Sequence, residues 1–262
     1  MSEDHMLPFP PAVVLCIEDL LFSERMADAV RHLGGTPVAA GSKKAFLRAM
    51  DQSLPVLALL DLHIDMSWEA AIQTVRLRPH TRAVPIYGFG RHTEPELLAR
   101  ARRAGADHAW ARSRIVEELP ALLERHINPP LVMPDGGLDP LSADAAEGVR
   151  LFNAGRYHAQ HEAFEDAWNA EPRPVREMYQ GILQIGLAFL QLQNRNRPGA
   201  IKMFGRGVPR LRPLPDVVQG VQIRRFLSES LQVFQALSNA GRRPDWSRLE
   251  RDLPSVHVTE PG

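Results

Sequence analysis

Between Ala12 and Ile127 short apolar runs alternate with segments of helical period, and this alternation restricts the fold more than any other feature of the chain. AVVLCI at 12–17 and VLALLDLH at 56–63 are nearly continuous apolar runs of strand length. Shorter runs at 36–40, 84–89 and 107–111 complete a set of five. Helical patterns fall between them, from Ser23 to the Gly34-Gly35 pair and over 42–52, 67–78, 94–104 and 114–127. Strands that are apolar on both faces and separated by helices pair in parallel, because parallel neighbours need a crossover longer than a hairpin turn. With right-handed crossovers, the expectation is an α/β domain over 12–128, built on a five-stranded, doubly wound parallel sheet.

In such sheets the working side chains gather beyond the carboxyl ends of the strands. Glu18 and Asp19 follow the first run, and Asp61 ends the third. Three carboxylates there would form an oxygen-rich pocket suited to Mg²⁺. This pattern, with Gly105-Ala106-Asp107 leading into the fifth strand, resembles the receiver domain of bacterial response regulators. The resemblance implies a flavodoxin-like fold, a metal held by Glu18 and Asp19, and a phospho-acceptor at Asp61. Two positions depart from the pattern: receivers carry a Ser or Thr where Gly90 stands and a Lys where Arg112 stands. Without the hydroxyl the phosphoryl group goes unreported, and a guanidinium differs from an ammonium in reach and geometry. The expectation is a degenerate receiver that docks a protein partner or a second copy of itself. The alternative is a working phospho-acceptor at Asp61.

Residues 128–141, NPPLVMPDGGLDPL, hold four prolines and two glycines without periodicity, so a linker is expected at 129–141. Residues 1–11, with Pro8, Pro10 and Pro11, are expected to be a disordered leader. From Ser142 to about residue 250 the pattern is all-helical, a small bundle of about five helices. Helices are expected at 142–154, 157–170, 174–193 and 198–207, with a break over PRLRPLP at 209–215. A final helix is expected from an Asp216 cap to about 239, closed by Gly241, with Trp246 packing the tail back.

The second and third of these helices carry the chemistry. Tyr157, Phe164 and Trp168 fall on one arc, with His161 and Glu165 at its edge and Glu162 a little further round. The third helix is apolar from Ile182 to Leu192, yet Arg176, Gln180, Gln184 and Gln191 share one arc. Buried amides need partners or cost about 1–3 kcal/mol each. The natural partners are His161, Glu162 and Glu165, which predicts a connected polar network between the two helices. The run LFNAGRY, then HEAFEDAW, YQGILQ and Gly199-Ala200, resembles the DUF309 family over about 145–212. That resemblance implies a compact helical domain of unknown function, with His161, Glu162, Glu165, Trp168, Gln180, Gly181 and Gln184 on motif positions. The family often has a histidine on the third helix and a Gly-Asn pair after it, where this chain has Gln191 and Arg195-Asn196.

Composition narrows the function classes. Thirty-one basic and 31 acidic residues cancel, so no global field favours nucleic acid or a membrane. One cysteine, Cys16, excludes an intrachain disulfide and fits a core position. No secretory pattern opens the chain, and the longest apolar stretch, 181–192, is too short to span a bilayer, so a cytoplasmic protein is expected. Phosphate-loop, nucleophile-elbow and zinc-spacing motifs are absent. The leading expectation is a regulatory or binding protein, with an anionic ligand at the basic 195–212 segment and no nucleic acid. The alternative is a metal-dependent hydrolase with a transition metal or acid–base pair at His161 and Glu165, a single His-x-x-x-Glu spacing without a second cluster.

Overall fold

The structure, a computed structural model, describes residues 10–240 and 244–259. Its contacts divide the chain into two compact units, one over Pro10–Pro129 and the other from Pro130 onward.

The first unit alternates strand and helix: β1 (Ala12–Cys16), α1 (Leu20–His32), β2 (Thr36–Ala39), α2 (Lys43–Gln52), β3 (Pro55–Asp61), α3 (Trp68–Leu77), β4 (Ile86–Gly90), α4 (Pro95–Ala104), β5 (His108–Ala111) and α5 (Arg112–Ile127). The five strands form one parallel sheet in the order β2-β1-β3-β4-β5. That is the flavodoxin-like order expected for this pattern. Alternate residues of a strand face opposite sides, and both sides are apolar here. Val14, Cys16, Ala58 and Leu60 pack with Phe46, Trp68, Ile72 and Ala101 under α2, α3 and α4. Val13, Leu15, Leu57 and Leu59 pack with Phe22, Met26, Ile115 and Leu123 under α1 and α5. The first helix starts three residues before the expected Ser23, because Asp19 caps it by accepting from Phe22 N.

The second unit contains α6 (Ala143–Asn153), α7 (Tyr157–Ala170), α8 (Arg176–Gln193), α9 (Arg197–Leu211), β6 (Val217–Val218), β7 (Val221–Gln222), α10 (Ile223–Asn239) and α11 (Trp246–Arg251). Two expectations need correction. The helix expected at 198–207 runs on through Pro209 to Leu211, since Val208 and Leu211 are fully buried and hold that turn in place. The helix expected from an Asp216 cap starts instead at Ile223. Residues 217–222 form an antiparallel hairpin whose turn residues, Gln219 and Gly220, have φ of 49° and 78°. Two successive left-handed residues match the twist of a two-residue hairpin loop. The expected helix end at Gly241 and the first nine residues of the expected leader lie outside the described residues.

Residues 130–141, which composition marks as a linker, lie along this second unit. Val132 N donates to Pro213 O, Val175 N to Asp135 O, and Gln219 N to Gly137 O. The Gln219 side chain joins both sides, accepting from Tyr179 Oη at 2.7 Å and donating to Gly136 O at 2.9 Å. At the centre, α8 lies between α7 and α9. A Cβ at Gly207 would stand 2.8 Å from Gly181 O, so α8 and α9 approach backbone to backbone.

Candidate functional site

Two regions hold the residues to which the sequence points. The first is the carboxyl edge of the sheet. Asp19 caps α1 with one oxygen, accepting from Phe22 N at 3.0 Å, and accepts from Arg112 Nη2 at 2.6 Å with the other. The guanidinium also lies 3.9 Å from the centre of the Phe22 ring. The Arg112 bond, helped by the Phe22 amide, holds the Asp19 carboxyl below the usual carboxylate range. Glu18 is exposed. Asp61 is buried and accepts from His63 N at 2.9 Å, with His63 Nδ1 3.4 Å from the same oxygen. His63 Nε2 is 2.5 Å from Glu94 Oε2, so the imidazole bridges a buried and a half-buried carboxylate. A Cβ at Gly90 would lie 3.5 Å from His63 Cε1, which places the ring beside the end of β4. Below it, burial and then the charge of Asp61 push the Cys16 thiol up to about 12.

The carboxylate pocket expected at Glu18, Asp19 and Asp61 does not assemble. No group of three or more His, Cys, Asp or Glu side chains able to hold a metal ion occurs among the described residues. The cause is local: Asp19 is already paired with Arg112, and Asp61 accepts from the His63 backbone N–H with the imidazole beside it. The donor set as it stands does not fit a divalent cation. His63 and Glu94 were not singled out by sequence, because their pairing spans 31 residues and needs the β3 and β4 loops to meet.

The second region is the exposed side of α8. At about 100° per residue, Arg176, Gln180, Gln184, Leu187 and Gln191 share an arc, and all are half-buried. The expected network to α7 is not what forms. Gln180 Oε1 accepts from Arg210 Nε at 2.7 Å, and Gln191 Oε1 accepts from Asn196 Nδ2 at 2.6 Å. The α8 glutamines therefore turn toward α9 and its leading loop. His161 and Glu165 stay together on α7, 3.9 Å apart, with side chains 37% and 51% exposed; Glu162 is exposed. With no third ligand beside them, this pair does not make a transition-metal site among the described residues. The residue that joins α7 to α8 is Gln160, fully buried, donating to Tyr157 O and Leu183 O. The sequence did not flag Gln160, and its position on the aromatic arc of α7 was the available signal. Trp168 and Arg176 meet across the same junction, the guanidinium 4.2 Å from the centre of the ring.

The basic 195–212 segment divides by role. Arg197 donates to Leu237 O and Ser238 O and so closes the end of α10. Arg210 pairs with Gln180 and lies 3.4 Å from Glu177. Arg195 and Lys202 are exposed. Burial and the charge of Arg224 bring Arg212 down to about 10, which leaves it charged at neutral pH.

Residues 145–203 match the family model DUF309, described as a domain of unknown function. The fold of the first unit is similar to solved receiver domains. One is a CheY-like response regulator receiver domain from Methanospirillum hungatei, 16% identical, spanning 45% of this chain and 96% of that one with a TM-score of 0.37. A second is a response regulator from Chloroflexus aurantiacus, 20% identical, spanning 44% of this chain and 99% of that one with a TM-score of 0.39. A third, the receiver domain of a sensor histidine kinase from Pseudomonas aeruginosa, carries a magnesium ion in its cleft. It is 18% identical, spans 45% of this chain and 98% of its own, and has a TM-score of 0.41. No curated protein matches the sequence. No helix among the described residues is long and apolar enough to cross a membrane.

Proposed function

We propose that this chain is a regulatory binding protein in which a receiver-like unit serves as a docking scaffold rather than a phosphoryl switch, joined to a DUF309-like helical unit. The observation that carries this reading is the double occupation of the carboxyl edge. Asp19 is held by Arg112, and Asp61 is bonded to His63, which is held in turn by Glu94. Phosphoryl transfer to an aspartate needs a cation to offset the charge gathering on the phosphoryl oxygens. Here the acid that would hold the cation carries an internal guanidinium. Docking is supported by Leu20 and Leu21, 83% and 88% exposed at the start of α1 beside that ion pair. Exposed large apolar neighbours are a common mark of an interaction surface.

The test is titration of the full chain with beryllofluoride and Mg²⁺, followed by mass spectrometry, calorimetry and light scattering. No stoichiometric adduct at Asp61 and no change of oligomeric state are expected. Saturable binding at Asp61 coupled to a change of assembly would overturn the proposal.

A further inference from the structure

The half-buried, polar side of α8 is flanked by α7 on one edge and α9 on the other. Helical geometry and the contacts at each end place it. On the α7 side, Trp168 stacks on Arg176 of α8, and the same edge of α7 carries His161 and Glu165. On the α9 side, Arg210 bonds Gln180, a Cβ at Gly207 would lie 3.3 Å from the Gln184 Cβ, and one at Gly199 would lie 2.6 Å from Gln191 Oε1. Arg206 stands on this α9 edge, one turn before Arg210 and half-buried.

Four polar atoms of this face are shielded from solvent and have no hydrogen-bond partner among the described residues: Trp168 Nε1, Arg176 Nε, Gln184 Oε1 and Arg206 Nε. Native interiors leave few such groups, and each costs about 1–3 kcal/mol unless something fills it. Three of the four are N–H donors, and two of those belong to guanidiniums with no carboxylate within 4 Å among the described residues. Of the carboxylates nearby, Glu165 lies 3.9 Å from His161, Glu177 lies 3.4 Å from Arg210, and Glu171 is bonded to Arg173 while also feeling the charge of Arg176. What this face lacks is an acceptor-rich, negatively charged group.

We propose that the α7–α8–α9 face binds a small oxyanion, the phosphate or carboxylate group of a small molecule, held by Arg176 and Arg206 with the Trp168 indole N–H as a third donor. Gln184 Oε1 then accepts from a hydroxyl of the same molecule. Guanidinium is suited to this, because its fork matches either anion with two parallel bonds. The site does not depend on the state of the receiver-like unit, so it stands or falls separately from the docking role proposed above.

The experiment is titration of the full chain with inorganic phosphate, pyrophosphate and citrate by calorimetry, with the Trp168 indole and arginine Nε–H signals followed by NMR. At least one probe should saturate at one per chain and shift the Trp168, Arg176 and Arg206 signals together. Arg206→Gln and Arg176→Gln should each weaken that affinity about tenfold, the usual scale for losing one charge-assisted bond. Arg103→Gln on the other unit should leave it unchanged. Should the glutamine variants fold poorly, the NMR shifts of the native chain decide alone. Absence of saturable binding by all three probes would overturn the proposal. So would binding that leaves the Trp168 indole unmoved.

Discussion

Arg112 and Asp19, 93 residues apart, meet at 2.6 Å across the carboxyl edge of the sheet, and the same guanidinium rests on Phe22. The cation is thus supplied by the chain itself. Removing it leaves the Asp19 carboxylate without its guanidinium at the carboxyl edge of the sheet, next in sequence to Glu18. Arg112→Ala is therefore expected to bind Mg²⁺ measurably more tightly than the native chain, as read by calorimetry. Equal affinities would mean that the guanidinium is not the competitor.

The space at Gly90 leads to a second expectation. A Cβ there meets nothing closer than 3.4 Å, so Gly90→Ser should fold with a stability change within about 1 kcal/mol. The restored hydroxyl should not restore phosphorylation, because Arg112 still holds Asp19 and the His63 imidazole still stands between Asp61 and Glu94. Incubation of Gly90→Ser with acetyl phosphate and Mg²⁺ checks this. Only Gly90→Ser combined with Arg112→Lys and His63→Ala, which removes the imidazole, should yield a phosphoryl group that hydroxylamine or alkali releases, as from an acyl phosphate.

Asp51 provides a pH-dependent test of the first unit. It accepts from Arg78 at 2.6 Å and from His80 at 2.9 Å. Burial would raise its carboxyl, but the bonds from His80 and Arg78 outweigh that and hold it below the ordinary value. A lowered carboxyl contributes stability that is present above its unfolded value, about 3.9, and is lost as pH falls through the folded one. Asp51→Asn should cost about 1–2 kcal/mol at pH 7. The native advantage over the variant should shrink below about pH 4, as followed by urea unfolding across pH. A constant difference down to pH 2 would remove the linkage.

The parallel sheet was legible because buried strands and amphipathic helices have different apolar periods, and AVVLCI at 12–17 and VLALLDLH at 56–63 have almost no polar interruption. The hairpin at 217–222 was not legible, because two-residue strands carry no period; only Gly220 marked it. Pro209 read as a break, whereas burial of Val208 and Leu211 holds the helix through it. On α8 the sequence identified the polar arc but not the side to which it turns. A wheel places Gln180, Gln184 and Gln191 together, but only the close approach at Gly181 and Gly207 makes α9 their neighbour. The His63–Glu94 and Arg112–Asp19 pairs depend on loops that only the assembled sheet brings together.

Cys16 tests the burial of the sheet directly. Its thiol is fully buried and pushed up to about 12, first by burial and then by Asp61. Only the thiolate alkylates. Native protein at pH 8 should resist iodoacetamide while the urea-unfolded chain is modified to completion. Rapid labelling of the native chain would mean that β1 opens readily.

The α8–α9 contact sets the position of the oxyanion site, and Gly207 is the residue to perturb. A methyl there would meet Gly181 O at 2.8 Å and Ile185 Cγ1 at 2.9 Å. Backbone cannot rotate away as a side chain can, so the helices must separate. Gly207→Ala should cost about 1–3 kcal/mol, the usual price of overpacking. Gly41→Ala, with nothing within 4 Å, should lie within about 0.5 kcal/mol of native. Because the separation moves Arg206 away from α8, Gly207→Ala should also weaken oxyanion binding while both arginines of the site remain. If stability falls and anion affinity is unchanged, α9 does not form an edge of the site. In that case Arg176 and Trp168 alone would have to hold the ligand.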